Sequence, residues 1–308
     1  MSTLRELLQD YLTMRRALGF KLRTEGTGLL SFVAFMEQAQ ADSISTDLAL
    51  AWAKQPTSVQ PARWAQRLSY VRGFARYCRA IDPRTEIPPL GLLPFPHQRP
   101  NPYFFTDDDI ERLLQGALRL PAKEGLANHT FYCLFGLLSV SGLRICEALG
   151  LTLDDVDLDE GILRIRSTKF GKSRLVPLHP TTVEVLTDYR ARREQFLAGR
   201  QVPHWFVNAR GGRLGYDCAL RAFHRLTAGL SSQPGRRRPR LHDLRHRFAL
   251  KTVLHWYRDG QDVQRRLPAL SAFLGHVQAS ETYWYLSACP ELLGAAKERL
   301  ERHWEQMS

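Results

Sequence analysis

The chain has 308 residues, of which 44% are hydrophobic and 24% are charged. This length allows two domains, and the composition excludes both a disordered chain and a small core that depends on disulfides. The 43 Lys and Arg outnumber the 31 Asp and Glu, and this excess favours a polyanionic partner, nucleic acid before an anionic membrane surface.

The first 82 residues are predicted to form a small, basic, helical domain. Residues 3–18 begin with the capping-box pair Thr3 and Glu6, and their leucines fall on one helical face. Residues 62–79 repeat the helical pattern. A separate stripe of that second helix carries three arginines, which are either a solvated face or a contact to nucleic acid: Arg72, Arg76 and Arg79.

The following segment, residues 83–103, is predicted to be a linker. Seven prolines lie between positions 82 and 102. Proline continues neither a helix nor a central strand, so we expect an extended, semi-rigid connection between two domains.

Residues 104–308 are predicted to form the second domain, which is mainly helical with a small β-hairpin or sheet. Two strand-like runs, 162–166 and 173–178, are joined by a tight segment at 169–172. A short basic loop at 235–240 precedes one of the later helices. The predicted helices of this domain are 106–118, 129–140, 180–198, 217–229, 242–258, 263–274, 280–287 and 290–306.

Cysteine usage and hydropathy predict a soluble, cytoplasmic protein. The five cysteines form no CxxC pair, which is typical of reduced thiols in a cytosol. The first residues lack the basic and apolar stretches of a signal peptide. The longest apolar run, 131–140, is too short to cross a bilayer.

Three short motifs resemble known ligand sites but lack required residues. Gly171-Lys172-Ser173 resembles the end of a phosphate-binding loop, but Arg166 stands where that loop needs glycine. The acidic run 155–159 lacks the glycine and the final glutamate of a calcium loop. His242 and His246 have the spacing of a zinc pair, but the general-base Glu is missing and arginines flank them. We therefore expect no metal and no cofactor.

One set of residues does form a consistent chemical pattern. Its four parts are Gly142-Leu143-Arg144 with Glu147, a lysine at the predicted hairpin followed by Arg174-Leu175-Val176-Pro177-Leu178, His242-Asp243-Leu244-Arg245, and Leu274-Gly275-His276 with Tyr285 nine residues later. In order and spacing, this pattern resembles the tyrosine recombinase (phage integrase) family over roughly residues 104–290. The segment 281–293 looks like integrases carried by bacterial transposable elements, and residues 1–82 resemble the family's core-binding domain.

The resemblance implies a role for each residue of the pattern. Arg144 and Arg245 would clamp the phosphodiester oxygens, since planar guanidinium groups bind them in bidentate fashion, and Glu147 would support them. Tyr285 would be the nucleophile. The proton donors and acceptors would be His242 as acid or base, His276 as a hydrogen-bond donor to the phosphate, and Lys169 as general acid to the leaving 5′ oxygen.

Two of these assignments have competitors in the sequence. Lys172 lies three residues after Lys169, and Tyr283 lies two residues before Tyr285. The family spacing favours Lys169 and Tyr285. On a helix the two tyrosines point about 200° apart, so only one can face the phosphate.

The resemblance also implies how the protein would act. It would form a 3′-phosphotyrosyl intermediate on double-stranded DNA, as a homotetramer on two sites in a bacterial cytoplasm at the nucleoid, with accessory recombinases as further partners. The segment 290–306 would dock either on its own domain or on a neighbouring protomer. The alternatives are a topoisomerase-like relaxing enzyme and a DNA-binding accessory protein of a transposon that does not cut. The candidate DNA contacts are Arg72, Arg76, Arg79, Lys172, Arg236, Arg237, Arg238 and Arg240.

Overall fold

The computed structural model describes residues 3–95, 102–121, 125–166, 173–231 and 238–276, together with the single residues 294, 297 and 301. The chain divides into two compact units, residues 1–100 and 101–308. Each unit contains its own buried cluster of apolar side chains. None of the helices in the described part of the chain has the length and apolar character that a bilayer span requires.

The N-terminal unit is built from four helices. Thr3 caps the first helix, and the predicted capping box with Glu6 is present. The first and last of the four helices confirm the sequence predictions for 3–18 and 62–79. The helices are α1 (Leu4–Ala17), α2 (Arg23–Gln38), α3 (Thr46–Lys54) and α4 (Pro61–Arg79).

Helices α2 and α3 were not predicted from the sequence. Helix α2 contains Gly26 and Gly28, and glycine is a poor helix former. Tertiary packing overrides this propensity, because Phe32 and Met36 of α2 are completely buried, as is Trp52 of α3. Burial of these side chains stabilises both helices, and in α2 it outweighs the weak propensity of the two glycines.

Part of the segment predicted as a linker packs within the N-terminal unit. Thr85 and Leu93 are buried there. The backbone N–H of Glu86 donates to the carbonyl of Ile44 at 2.7 Å, and its carboxylate accepts from the N–H of Thr46 at 2.8 Å. The division into 1–82, 83–103 and 104–308 stays a prediction, but residues 85–93 lie against helices in this structure.

The second unit has a helical core and one small sheet. Helix α6 lies at its centre, as its apolar sequence predicts, with nine of its 15 residues buried. Thr106 caps α5 through a capping box with Asp109. The helices are α5 (Asp107–Leu118), α6 (Ala127–Ser141), α7 (Ile145–Ala148), α8 (Pro180–Leu197), α9 (Tyr216–Leu226), α10 (Leu241–Arg258) and α11 (Val263–Leu274).

The sheet has three antiparallel strands in the order β1 (Val156–Asp157), β2 (Ile162–Ile165) and β3 (Arg174–Pro177). The two predicted strand runs became β2 and β3, with Ile165 opposite Arg174 and Leu163 opposite Val176. Strand β1 was not predicted, since two residues are too few to show an alternating pattern. The predicted hairpin residues 169–172 and the predicted helices 280–287 and 290–306 lie outside the described residues, apart from 294, 297 and 301.

Two helices of the second unit end at a glycine with a left-handed backbone. Gly142 follows α6 with φ +61°, and Gly275 follows α11 with φ +67°. Such a residue ends a helix and turns the chain, while the last carbonyls of the helix remain available as acceptors. Arginine side chains occupy these carbonyls in both cases.

Candidate active site

Arg144 is held by one carboxylate and one backbone carbonyl. It is the N-cap residue of α7, and its backbone N–H donates to Oε2 of Glu147 at 3.0 Å. Its Nη1 donates to Oε1 of the same carboxylate at 2.9 Å, and its Nη2 donates to the carbonyl of Gly275 at 3.0 Å. The side chain keeps 27% of its surface exposed, so a ligand can reach it.

Arg245 lies deeper, in the second turn of α10, and is 1% exposed. Its Nη1 donates to the carbonyl of Gly142 at 2.7 Å and its Nη2 to the carbonyl of Leu274 at 2.6 Å. One guanidinium group therefore joins the C-terminal ends of α6 and α11. The structure thus brings Arg144 and Arg245 together at the end of α11, as a shared site requires.

Arg174 is a third arginine of this site, and sequence reasoning gave it no role. Its Nε donates to the carbonyl of Phe273 at 2.8 Å, and its Nη1 and Nη2 donate to the two oxygens of Glu147 at 3.1 and 2.7 Å. A signal for it exists in the sequence. Side chains alternate between the faces of a strand, so Arg174 shares a face with the buried Val176, while Leu175 points outward and is 60% exposed.

Three consecutive carbonyls at the end of α11 each accept from a different arginine. Phe273 accepts from Arg174, Leu274 from Arg245, and Gly275 from Arg144. The C-terminal end of a helix carries partial negative charge, which favours cations there. A side chain at Gly275 would obstruct this arrangement, because its Cβ would lie 2.9 Å from Nη1 of Arg174.

Glu147 is the acid that balances these arginines. Its side chain is 7% exposed and lies between Arg144 and Arg174. Burial by itself would raise the pKa of this carboxyl, but the hydrogen bonds and positive charges of Arg174 and Arg144 outweigh burial, and the pKa lies below its usual value. Glu147 is therefore an ionised anchor for both guanidinium groups.

The histidines of the pattern lie near these arginines in sequence and structure. His242 is exposed in the first turn of α10, and its ring lies edge-on to that of His246, with centroids 4.6 Å apart. His276 directly follows Gly275 and is partly buried; its backbone N–H donates to the carbonyl of Ser271 at 2.9 Å. His276 thus follows directly the carbonyl that holds Arg144.

Several predicted site residues lie outside the described residues and have no structural placement here. They are the candidate general acid Lys169 with its competitor Lys172, the candidate nucleophile Tyr285 with its competitor Tyr283, and the basic-loop residues Arg236 and Arg237. Their roles stay predictions.

The remaining candidate DNA contacts are placed, and their surroundings differ. Arg76, Arg79, Arg238 and Arg240 are exposed. Arg72 donates to the carbonyls of Pro88 and Pro89 at 2.7 and 2.8 Å, and Arg79 donates to the carbonyl of Thr85 at 3.3 Å.

Arg240 caps the helix that carries His242 and Arg245. Its Nη2 donates at 2.8 Å to Asp243, which is fully buried in the first turn of α10. Across the described ranges, no group of three or more His, Cys, Asp or Glu side chains is arranged to hold a metal ion.

Comparison with known proteins gives one family. The Phage integrase family matches residues 103–291 of this chain. A Sinorhizobium fredii protein whose name describes it as an integrase/recombinase, y4rB, is 51% identical and covers 99% of both chains. Tyrosine recombinase XerD of Mycobacterium tuberculosis is 34% identical, over 72% of this chain and 68% of its own length.

Solved structures give the same fold. The integrase of transposon Tn1549 in complex with transposon right end DNA has a TM-score of 0.67 at 17% identity, over 96% of this chain and 98% of that chain. The XerH site-specific recombinase bound to a palindromic difH substrate has a TM-score of 0.65 at 20% identity, over 98% and 86%. A mainly helical fold with a small sheet is thereby established for this chain.

Proposed function

The chain belongs to the phage integrase family of tyrosine recombinases, enzymes that cut and rejoin DNA, and from this premise we propose that it recombines DNA at specific sites through a 3′-phosphotyrosyl intermediate on Tyr285. One observation carries the proposal: Arg144 and Arg245, 101 positions apart in the sequence, donate to the adjacent carbonyls of Gly275 and Leu274.

This arrangement suits the transition state of phosphoryl transfer. The attacked phosphate spreads negative charge over its non-bridging oxygens, and donors fixed in advance stabilise that charge without reorganising during the reaction. Guanidinium groups fixed by carbonyls and a carboxylate meet this requirement, because bonds to the protein fix their planes. Arg144 is the more accessible of the two, and we assign it the direct phosphate contact, with Arg245 beside it.

The proposed reaction breaks and forms one bond in each step. The Tyr285 oxygen attacks phosphorus and loses its proton to His242, while the bond to the 5′ oxygen breaks and Lys169 gives that oxygen a proton. His276 donates a hydrogen bond to the phosphate. In the reverse step, the 5′ hydroxyl of a second duplex gives its proton to Lys169 and attacks the phosphotyrosine, while the bond to Tyr285 breaks and His242 returns the proton to the tyrosine oxygen.

We propose that neither a metal ion nor ATP takes part. Two arginines, a lysine and two histidines already supply the positive charge that a metal would bring. The energy of the broken phosphodiester is kept in the phosphotyrosine, so rejoining needs no second source.

We propose double-stranded DNA and further copies of this chain as the partners, with four protomers on two sites of bacterial nucleoid DNA. The excess of Lys and Arg supports the DNA partner. Similarity to the transposon integrase and to y4rB supports a role in integrating, excising or transposing a mobile element.

The test uses a covalent adduct as its signal. Host genomic fragments retained by the wild-type protein would be made as duplexes nicked near the cleavage point, which traps cleaved product. In EDTA, wild type is expected to form an adduct that survives SDS and disappears with protease. Tyr285→Phe should abolish the adduct, and the matched control Tyr283→Phe should retain it.

Other results would overturn parts of the proposal. An adduct lost only in Tyr283→Phe would move the nucleophile to Tyr283. Specific DNA binding with no adduct in wild type would favour an accessory protein that does not cut. Relaxation of supercoiled DNA with no exchange between two duplexes would favour a topoisomerase-like enzyme.

A further inference from the structure

Strand β3 places a charged side chain on its buried face. Arg174 lies opposite the buried Ile165 of β2 and on the same face as Val176, and its side chain is 12% exposed. A charge in this position requires compensation by hydrogen bonds or an opposite charge. Arg174 has both, and its partners among the described residues belong to the arginine site.

Its contacts connect three separate segments of the chain. Its Nη1 and Nη2 donate to the two carboxylate oxygens of Glu147 in α7, and its Nε donates to the carbonyl of Phe273 at the end of α11. The same carboxylate binds Arg144, whose other hydrogen bond goes to Gly275, two residues beyond Phe273. Arg174 therefore fixes both supports that hold Arg144.

We propose that Arg174 is a positioning residue, which sets the Arg144 guanidinium for phosphate binding by holding Glu147 and the end of α11 in one fixed geometry. The inference rests on the proposed function, since it assigns Arg144 to the phosphate. Because β3 begins five residues after Lys169 in the sequence, Arg174 also anchors the strand that follows the proposed general acid to the site that binds the phosphate.

Lysine cannot reproduce this arrangement. A guanidinium presents donors in a planar fork that matches a carboxylate and leaves Nε for a third acceptor, whereas an ammonium is a point charge. Arg174→Lys keeps the charge but loses the simultaneous hydrogen bonds to the carboxylate of Glu147 and the carbonyl of Phe273. A misplacement of about 1 Å at a reacting group can lower the rate about 100-fold.

The first measurement is the single-turnover rate of adduct formation on the nicked duplex, beside the dissociation constant for the same duplex. Arg174→Lys should lower the rate about 10- to 100-fold and leave the dissociation constant within about twofold, because the buried Arg174 makes no proposed phosphate contact. In a Glu147→Gln background, Arg174→Lys should lower the rate of adduct formation less than about threefold, because the effects of residues that act through a shared partner are not additive.

A direct measurement of the pKa of Glu147 separates positioning from general stability. Among the described residues, the charged groups facing Glu147 are Arg174 of β3 and Arg144 beside it, and both keep the pKa of its carboxyl low. Arg174→Gln removes one charge and should raise that pKa, whereas Arg174→Lys should leave it close to that of wild type. Carboxyl carbon NMR of Glu147 over a range of pH measures both effects.

Arg193 is the matched control. It lies on α8, is 3% exposed, and also donates hydrogen bonds to backbone carbonyls, those of Trp205, Val202 and His204. Arg193→Lys should lower the melting temperature but leave the cleavage rate of folded protein and the pKa of Glu147 unchanged. If Arg174→Lys behaves in the same way, Arg174 is only structural and the inference is wrong.

The two proposals fail differently. Wild type that forms no adduct contradicts the proposed function. Wild type that forms the adduct, together with Arg174 variants that cleave at the wild-type rate, contradicts only this inference. Full additivity of Arg174→Lys with Glu147→Gln also contradicts it.

Discussion

The arginines of the two units are held in different ways. In the N-terminal unit, Arg76 and Arg79 are exposed on α4, and Arg72 and Arg79 donate to carbonyls of the irregular segment 85–89. In the second unit, Arg144 and Arg174 share the carboxylate of Glu147, and these two and Arg245 donate to carbonyls at the ends of α6 and α11. The first set lies along one helix surface, and the second converges on a single point.

The two sets of arginines suit different tasks, DNA affinity in the first unit and chemistry in the second. An exposed, solvated cation can neutralise a backbone phosphate wherever it lies, and its orientation matters little. A cation that stabilises a transition state must be oriented before the reaction begins. We therefore assign DNA affinity to exposed arginines such as Arg76, and catalysis to Arg144 and Arg245, whose guanidinium groups are held in place by hydrogen bonds.

The largest effect should come from changing Arg245, whose guanidinium group is held by the carbonyls of Gly142 and Leu274. Arg245→Lys keeps the charge but cannot reach both Gly142 and Leu274, and we expect the cleavage rate to fall about 100- to 1000-fold, as for loss of one preorganised donor. DNA affinity should change little. The measurement is single-turnover adduct formation with saturating protein.

Arg258→Lys, on the exposed last turn of the same helix, is the control and should cleave as wild type does. If Arg245→Lys weakens DNA binding as much as it slows cleavage, the two sets of arginines do not differ in role. The assignment of affinity to one set and catalysis to the other is then wrong.

An intermediate effect should come from the glycine that ends α6. Gly142→Ala forces alanine to φ +61° and places its Cβ 2.6 Å from Cδ1 of Phe248. Backbone strain and overpacking should together lower the free energy of unfolding of this unit by about 2–4 kcal/mol. Hydrogen exchange of core amides in each unit measures the loss locally.

Gly91→Ala in the N-terminal unit is the matched glycine. Its φ is +81°, but its Cβ would meet nothing within 4 Å, so strain alone should cost that unit about 1–2 kcal/mol. Equal losses at both glycines would mean that close packing around Gly142 contributes nothing to the site.

The smallest effect should come from an exposed arginine. Arg76→Gln should weaken DNA binding a few-fold and reduce the slope of log affinity against log salt by about 0.9, the value for one phosphate contact. The cleavage rate at saturating DNA should not change. Binding titrations at several salt concentrations, with Arg190→Gln on α8 as control, test this.

Arg190 is exposed and paired with Glu194, and its loss should leave the salt slope unchanged. A slower cleavage rate in Arg76→Gln at saturating DNA would place Arg76 among the residues that act on chemistry.

Local patterns in the sequence predicted much of this molecule. Capping pairs and apolar periodicity located α1, α4, α5 and α11, and the alternating runs located β2 and β3, because these signals act between residues a few positions apart. Helices α2 and α3 were not predicted; the two glycines of α2 weaken its local signal, and burial stabilises it. Alternation along β3 places Arg174 on the face of Val176, but it does not specify the partners of Arg174, because Glu147 and Phe273 lie 27 and 99 positions away in the sequence.

The family pattern can be recognised from the sequence alone, with Arg144, Glu147, His242, Arg245 and His276 in their order. The carbonyl that each arginine binds follows from the packing of helices and strands. Those contacts join residues up to 131 positions apart, and they depend on how the ends of α6 and α11 meet α7, α10 and β3. The packing of whole helices and strands determines these contacts. A helix end offers carbonyl acceptors, and no local pattern in the sequence specifies their donors.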